Sequence, residues 1–212
     1  FPNTCWSMVK NNQYRDHVAE GLTELFVDAT KVTLNWTNSN RIPSPGSWFT
    51  TRSHSWGGVS RDLMPHLLSW FTMFSKGQYA TAELISCQAE QCWQLDQIDS
   101  TEYGTVNKNG THDVDDHARL VYSFQGKTVE LEANWRNMQY NERGIEFEFA
   151  DNSANYFKFE LCPEQAYANM VSYLWQKCQQ KDQEFWQQEL AEDLWIHGRS
   201  TGEEVLPGPL AA

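Results

Sequence analysis

The chain has 212 residues, 40% of them hydrophobic, and a formal net charge of −12 at pH 7, which fits one globular domain with a substantial core. Its acidic balance and lack of clustered Lys and Arg exclude a nucleic-acid backbone as the expected partner. No apolar run approaches the roughly 20 residues of a membrane span, and no N-terminal secretory signal is evident, so we expect a cytoplasmic protein.

The first third of the chain predicts a helix, a strand and a second helix. Apolar residues recur at helical spacing from Tyr14 to Phe26, and Lys31 to Thr37 alternates as a half-buried strand does. Turn-forming residues make Arg41 to Phe49 a loop. This loop leads to the pair Gly57-Gly58 and then to a predicted helix from Arg61 to Phe74.

Strands dominate the middle of the chain, and helices return at its end. We expect strands at 81–90, 118–124, 128–135, 144–150 and 155–161, and helices from Cys162-Pro163 to Cys178 and over 184–196. The polar segment 91–113 is a long loop, of a kind that is often functional or mobile. This grouping predicts an α+β fold in which residues 1–212 form a single domain, with an open, mainly antiparallel sheet and helices packed on one face.

The cysteines predict neither disulfides nor a metal centre. They are odd in number and scattered, with no Cys-x-x-Cys pair and no His at the spacing of a zinc site: Cys5, Cys87, Cys92, Cys162 and Cys178. We therefore expect free thiols and no bound metal.

The predicted helix at Arg61 to Phe74 has the most chemical content, because it places Asp62 and His66 four residues apart on one face. An imidazole titrates near neutrality, and a nearby carboxylate can fix its tautomer, which suits proton transfer to or from a substrate hydroxyl. The alternative is structural, since the same spacing arises by chance, with the Asp as a helix cap and the His as a satisfied surface or core residue. Spacing alone leaves both interpretations open.

Several features together resemble one known family: Gly57-Gly58, Asp62 and His66 at their spacing, the run from Asp113 to Ala118, and the segments 120–124 and 129–135. The family is the glucose-fructose oxidoreductase/inositol dehydrogenase (Gfo/Idh/MocA) superfamily, and the resemblance is to its C-terminal domain. It implies an α+β domain whose open sheet commonly forms the oligomer interface, in NAD(P)-dependent oxidoreductases of sugars, inositols and related polyols. It also implies that His66 is the acid/base at the hydroxyl of the oxidised carbon and that Asp62 contacts or orients the substrate.

Other polar and aromatic residues flank this pair. Arg61 and His54 are candidates for binding substrate hydroxyls or a carboxylate. Trp48 and Trp56 are candidates for stacking on a sugar face, although burial in the core is the commoner use of such side chains. His117 lies at a strand entrance and fits a role in the turn better than one in the chemistry, and the aspartates beside it are expected in solvent.

Two parts of the family pattern are absent from this sequence. No Gly-x-Gly-x-x-Gly motif follows a strand, and no Glu-Lys-Pro motif supplies the family's catalytic Lys. By the resemblance, NAD or NADP is bound mainly by an N-terminal Rossmann domain that this chain lacks. The chain is then the substrate-binding and oligomerisation domain of an NAD(P)-dependent oxidoreductase, acting on a polyhydroxylated small molecule and forming a homo-oligomer through the open sheet face. The alternative is a non-enzymatic ligand-binding or assembly module without redox chemistry.

Overall fold

The computed structural model describes residues 21–158 and 163–200, with side chains from residue 168 onward in the second range. Its strands are β1 (Lys31–Thr37), β2 (Glu83–Glu90), β3 (Ser100–Thr101), β4 (Gly104–Thr105), β5 (His117–Phe124), β6 (Lys127–Asn134), β7 (Glu142–Glu148) and β8 (Ala154–Lys158). Six of them form one sheet in the order β2-β5-β6-β1-β7-β8, while β3 and β4 pair separately within the long loop. Neighbours in the large sheet are antiparallel, except that β1 and β6 are parallel.

The helices of the described residues precede, interrupt and follow these strands. They are α1 (Thr23–Asp28), α2 (Arg52–Ser55), α3 (Val59–Asp62), α4 (Met64–Phe74), α5 (Pro163–Gln180) and α6 (Gln183–Arg199). The predicted α+β fold with an open, mainly antiparallel sheet is confirmed. The expected helix over 14–26 and strand over 155–161 lie partly outside the described residues. Among the described residues, no helix combines the length and apolar character of a membrane span.

One face of the sheet is apolar because alternate side chains of each strand point toward the helices. Leu120 and Tyr122 of β5 and Leu131 of β6 are buried there. The ring of Phe71 on α4 stacks on Tyr122, with 5.8 Å between centroids. Much of the aromatic content therefore forms the core, which fixes α4 against the middle of the sheet.

The opposite face, here called the open face, is polar and charged. Lys31 on β1 pairs with Glu148 on β7 at 2.7 Å. Arg119 on β5 pairs with Glu130 on β6 at 2.6 Å. Strand alternation places these side chains on the side away from the buried residues, so the open face is a network of ions rather than an apolar surface.

The predicted continuous helix from Arg61 to Phe74 is wrong in one respect. The chain forms two helices, α3 ending at Asp62 and α4 beginning at Met64, with Leu63 in a turn between them. Pro65 has no N–H to donate, so the helical hydrogen bond to the carbonyl of residue 61 is missing and a new helix starts with proline in its first turn. Asp62 and His66 consequently belong to two helices.

Candidate active site

Asp115, just before β5, fixes the Gly57-Gly58 turn. Its carboxylate accepts hydrogen bonds from the N–H groups of Gly58 at 3.0 Å and Ser60 at 2.7 Å. Its carbonyl accepts another from Val59 at 2.9 Å. A Cβ at position 58 would collide with that carbonyl, which is why glycine is required there. These contacts determine where α3 begins, and with it the position of Asp62.

The expectation that the aspartate run is solvated is wrong for Asp115 and Asp116, which are 3% and 0% exposed. The carboxylate of Asp116 accepts hydrogen bonds from the N–H groups of Cys92 and Trp93, both at 2.9 Å. Burial raises the pKa of Asp116, and these donors partly offset the rise. Both carboxylates accept hydrogen bonds from backbone N–H groups where loops meet the sheet, in place of backbone carbonyls. A run of charges in the sequence does not reveal this role.

Asp62 is held by the end of β6. Its Oδ2 accepts a hydrogen bond from the indole Nε1 of Trp135 at 2.9 Å. Burial raises the pKa of Asp62, while the Trp135 donor and the Arg41 cation lower it. Among the described residues, no hydrogen bond joins Asp62 to His66, so the carboxylate does not fix the tautomer of the imidazole directly.

His66 lies in a stack of rings between α4 and the sheet. Its imidazole stacks on Trp36 of β1 with 4.9 Å between centroids, and Trp36 stacks in turn on Trp70 at 5.8 Å. The guanidinium of Arg143 lies 4.7 Å from the Trp36 ring. Burial, and to a lesser extent the Arg143 cation, lowers the pKa of His66 to about 4. The imidazole is therefore neutral near pH 7.

Two buried polar atoms of this stack, Nδ1 of His66 and Nε1 of Trp36, have no hydrogen-bond partner among the described residues. An unpaired buried polar group costs about 1–3 kcal/mol, and other side chains of the described residues, such as Asn38 and Tyr122, carry such atoms too. The combination of these atoms with a strongly shifted imidazole pKa is typical of a site that acts on a ligand. We refer to His66, Trp36 and Arg143 as the His66 cluster.

Arg61 and Trp56 lie in a different place from their neighbour Asp62. Both line a crevice of about 620 Å³, which neither Asp62 nor His66 lines. Nη1 of Arg61 donates hydrogen bonds to the carbonyl of His197 and to Oγ of Ser200, each at 3.2 Å. Arg61 thus ties α3 to the end of α6, at the edge of the crevice.

The two remaining predicted substrate-binding residues are exposed. His54 is on the surface of α2. Trp48 is 58% exposed and stacks on Phe49, with 3.8 Å between ring centroids, while Trp56 is 70% exposed. Neither Trp48 nor Trp56 has the core position that is commoner for tryptophan. The six predicted site residues therefore do not form one group, and their roles in binding stay predictions.

The sequence did not single out Trp36 and Arg143 of the His66 cluster, or Trp135, which binds Asp62. Trp36 lies directly opposite Arg143 in the register of β1 and β7. An arginine placed beside an indole by strand pairing leaves no local motif. Trp135 was visible only as the last residue of a predicted strand.

Comparison with known protein families shows which family the chain belongs to. The matching model describes the GFO/IDH/MocA C-terminal domain and covers residues 27–153, more than half of the chain. The chain belongs to this family. The resemblance noted from Gly57-Gly58, Asp62 and His66 is thereby confirmed. A search of curated proteins finds no match.

A solved structure shows the same fold as this GFO/IDH/MocA domain. KijD10, a 3-ketoreductase from Actinomadura kijaniata in complex with NADP and TDP-benzene, matches with a TM-score of 0.60 and 12% identity, over 93% of this chain and 61% of that one. An oxidoreductase domain protein from Kribbella flavida matches with a TM-score of 0.48 and 18% identity, over 73% and 38%. The chain therefore spans less than two thirds of the length of either protein.

The Gly57-Gly58 turn does not fit the pyrophosphate of NAD or NADP. A dinucleotide requires free backbone N–H groups at a glycine-rich helix start. At Gly57-Gly58, the carboxylate of Asp115 already accepts these hydrogen bonds and occupies the place of an anion. The Gly57-Gly58 turn is therefore not a pyrophosphate site.

Proposed function

We propose that this domain is the substrate-binding part of an NAD(P)-dependent oxidoreductase that acts on a sugar, an inositol or a related polyol. The observation that carries the proposal is the neutral, half-buried imidazole of His66, stacked on Trp36 beside Arg143. Family membership supports the reaction class, and KijD10 is a relative in fold that binds NADP.

In this proposal, His66 is the acid/base and Asp62 is the substrate-binding carboxylate. Because Nδ1 of His66 is buried, Nε2 is the nitrogen that takes the proton of the substrate hydroxyl during oxidation and returns it during reduction. Oδ2 of Asp62 is engaged by Trp135, which leaves Oδ1 to accept a hydrogen bond from an adjacent substrate hydroxyl. Trp36 fixes the plane of the imidazole, and Arg143 disfavours its protonated form.

Arg61, Trp56, His54 and Trp48 form a second set, for which we propose contacts to the distal part of a substrate. Arg61 and Trp56 line the crevice, and Arg61 is next to Asp62 in the sequence. A ligand with an anionic group at its far end suits Arg61, since a guanidinium binds carboxylates and phosphates in bidentate fashion.

We also propose that the domain associates with itself through the open face. This face is polar and carries ion pairs such as Lys31–Glu148, so the association should be sensitive to salt, unlike that of an apolar interface. Light scattering at low and high ionic strength tests the point. A dimer that weakens with salt is expected, and a monomer at every ionic strength contradicts it.

A non-enzymatic ligand-binding module is the second candidate. The crevice favours it, because Arg52, Arg61 and His197 line a space of about 620 Å³ that is separate from the His66 cluster. Such a module would bind an anionic ligand with no nicotinamide nucleotide present. A thermal shift with inorganic phosphate or sugar phosphates, lost in Arg52→Ala, is the result that this candidate predicts.

The experiment that separates the two functions uses the protein isolated from its natural source. This chain has a mass of 24.6 kDa. A Rossmann domain adds roughly 100–150 residues. We expect a clearly larger intact mass and reduction of NAD or NADP with at least one member of a polyol panel. A mass near that of the chain, with no reduction by any polyol, contradicts the oxidoreductase proposal and favours the binding module.

A further inference from the structure

Three side chains that carry metal-ligating atoms meet at one corner of the sheet, and none belongs to the His66 cluster. Glu90 is the last residue of β2, Cys92 follows two residues later, and His117 is the first residue of β5. A carboxylate oxygen, the Sγ atom and a ring nitrogen of these residues all lie within 4.8 Å of one another. Glu90 lies directly opposite His117 in the register of β2 and β5, which explains why their side chains share a face.

The backbone around Cys92 is fixed before any ligand arrives. The carboxylate of Asp116 accepts hydrogen bonds from the N–H groups of Cys92 and Trp93, both at 2.9 Å. The N–H of Asp116 donates to the carbonyl of Glu90 at 3.0 Å. Asp116 thus turns the chain at the end of β2 and holds Cys92 beside His117, so little ordering remains to be done on binding.

The imidazole of His117 also has a partner of the kind that metal-binding histidines use. Its Nε2 lies 3.2 Å from Oε1 of Glu132 on β6. A carboxylate at this distance orients an imidazole and raises its strength as a ligand. Glu132 thereby adds an observation that is independent of the proximity of the three candidate ligands.

We propose that Glu90, Cys92 and His117 bind a zinc ion, with water in the fourth position. Zinc takes tetrahedral sets of thiolate, imidazole and carboxylate, whereas magnesium and calcium select oxygen ligands alone. Glu90 and Cys92 are exposed, so their side chains can rotate the short distance needed to close around the ion. The site would cross-link the edge strand β2 to β5 at the border of the open face. It does not depend on the proposed oxidoreductase function.

The expectation of no metal site came from the spacing of Cys and His along the sequence. Cys92 and His117 are 25 residues apart, outside the usual spacing of zinc motifs. The pairing of β2 with β5 brings them together, and this register cannot be read from spacing.

The test titrates the purified, reduced chain with Zn²⁺ by calorimetry and with Co²⁺ by absorption, since a thiolate bound to Co²⁺ gives an intense near-ultraviolet charge-transfer band. We expect one ion per chain and a band that is lost in Cys92→Ser. Cys87→Ser is the matched control, because Cys87 is an exposed thiol on β2 whose register position lies on the face opposite to that of Glu90. Glu132→Gln should keep the band and weaken Zn²⁺ binding about 10–100-fold.

Thermal unfolding gives a second readout, because an ion that binds only the folded state raises the melting temperature. Zn²⁺ should raise it for the wild type and for Cys87→Ser but not for Cys92→Ser. The proposal is overturned by the absence of binding to the wild type, by a band that persists in Cys92→Ser, or by equal loss of the band in Cys87→Ser.

Discussion

Oδ2 of Asp62 accepts a hydrogen bond from the indole Nε1 of Trp135 at 2.9 Å, so the end of β6, rather than His66, fixes this carboxylate. His66 is fixed separately, by stacking on Trp36 of β1 at 4.9 Å. The two side chains that resemble the family's active-site pair are therefore positioned independently. A change that loosens one of them should leave the other in place.

Trp135→Phe should raise the pKa of Asp62 further, because it removes the donor that stabilises the ionised carboxylate. The acid limb of the pH profile of kcat/KM should therefore move to higher pH. Trp93→Phe is the control, since its indole Nε1 donates to the carbonyl of Arg136 and not to Asp62. An unchanged acid limb in Trp135→Phe would contradict the assignment of Asp62 to substrate binding.

Asp115→Ala should destabilise the domain by about 3 kcal/mol, because two buried N–H groups lose a charged acceptor. Asp113→Ala is the matched comparison, since the side chain of this exposed aspartate accepts one backbone hydrogen bond among the described residues, from Arg52. Its loss should cost less than about 1 kcal/mol. Urea denaturation measures both, and equal losses would show that Asp115 does not anchor the Gly57-Gly58 turn.

The lowered pKa of His66 predicts how stability depends on pH. As the pH falls, His66 takes up a proton near pH 6.5 in the unfolded chain, but only near pH 4 in the folded chain, because its pKa there is about 4. The contribution of neutral His66 to the free energy of unfolding is complete above pH 6.5. It falls by about 3 kcal/mol as the pH is lowered to about 4. The free energy of unfolding of the wild type should fall over this window by that much more than that of His66→Gln. Parallel curves for the two proteins would contradict the burial of a neutral imidazole.

Local sequence signals were enough to predict the six strands of the large sheet, but not β3 and β4 in the long loop. The alternation in Lys31 to Thr37 placed β1 correctly, because a half-buried strand requires it. Gln125-Gly126 joins β5 to β6 as a two-residue turn with positive φ at both positions, 51° and 79°, and glycine favours this conformation.

Contacts between distant segments were beyond the reach of those signals. The parallel pairing of β1 with β6 depends on long-range register. The same is true of the position of Arg143 opposite Trp36 and of Glu90 opposite His117. Pro65 was visible in the sequence, and its missing N–H predicts the break at Leu63 once it is weighed against the apolar periodicity.

The most direct test of the central claim introduces His66→Gln into the natural protein. Turnover of this variant is compared with that of the wild type, with NAD or NADP and the best polyol found. Glutamine keeps a side chain of similar size but cannot act as an acid or base near neutral pH. We expect kcat to fall about 10²- to 10⁴-fold, with an unchanged circular dichroism spectrum. Turnover within about twofold of the wild type would contradict the account, because proton transfer would then belong to another residue.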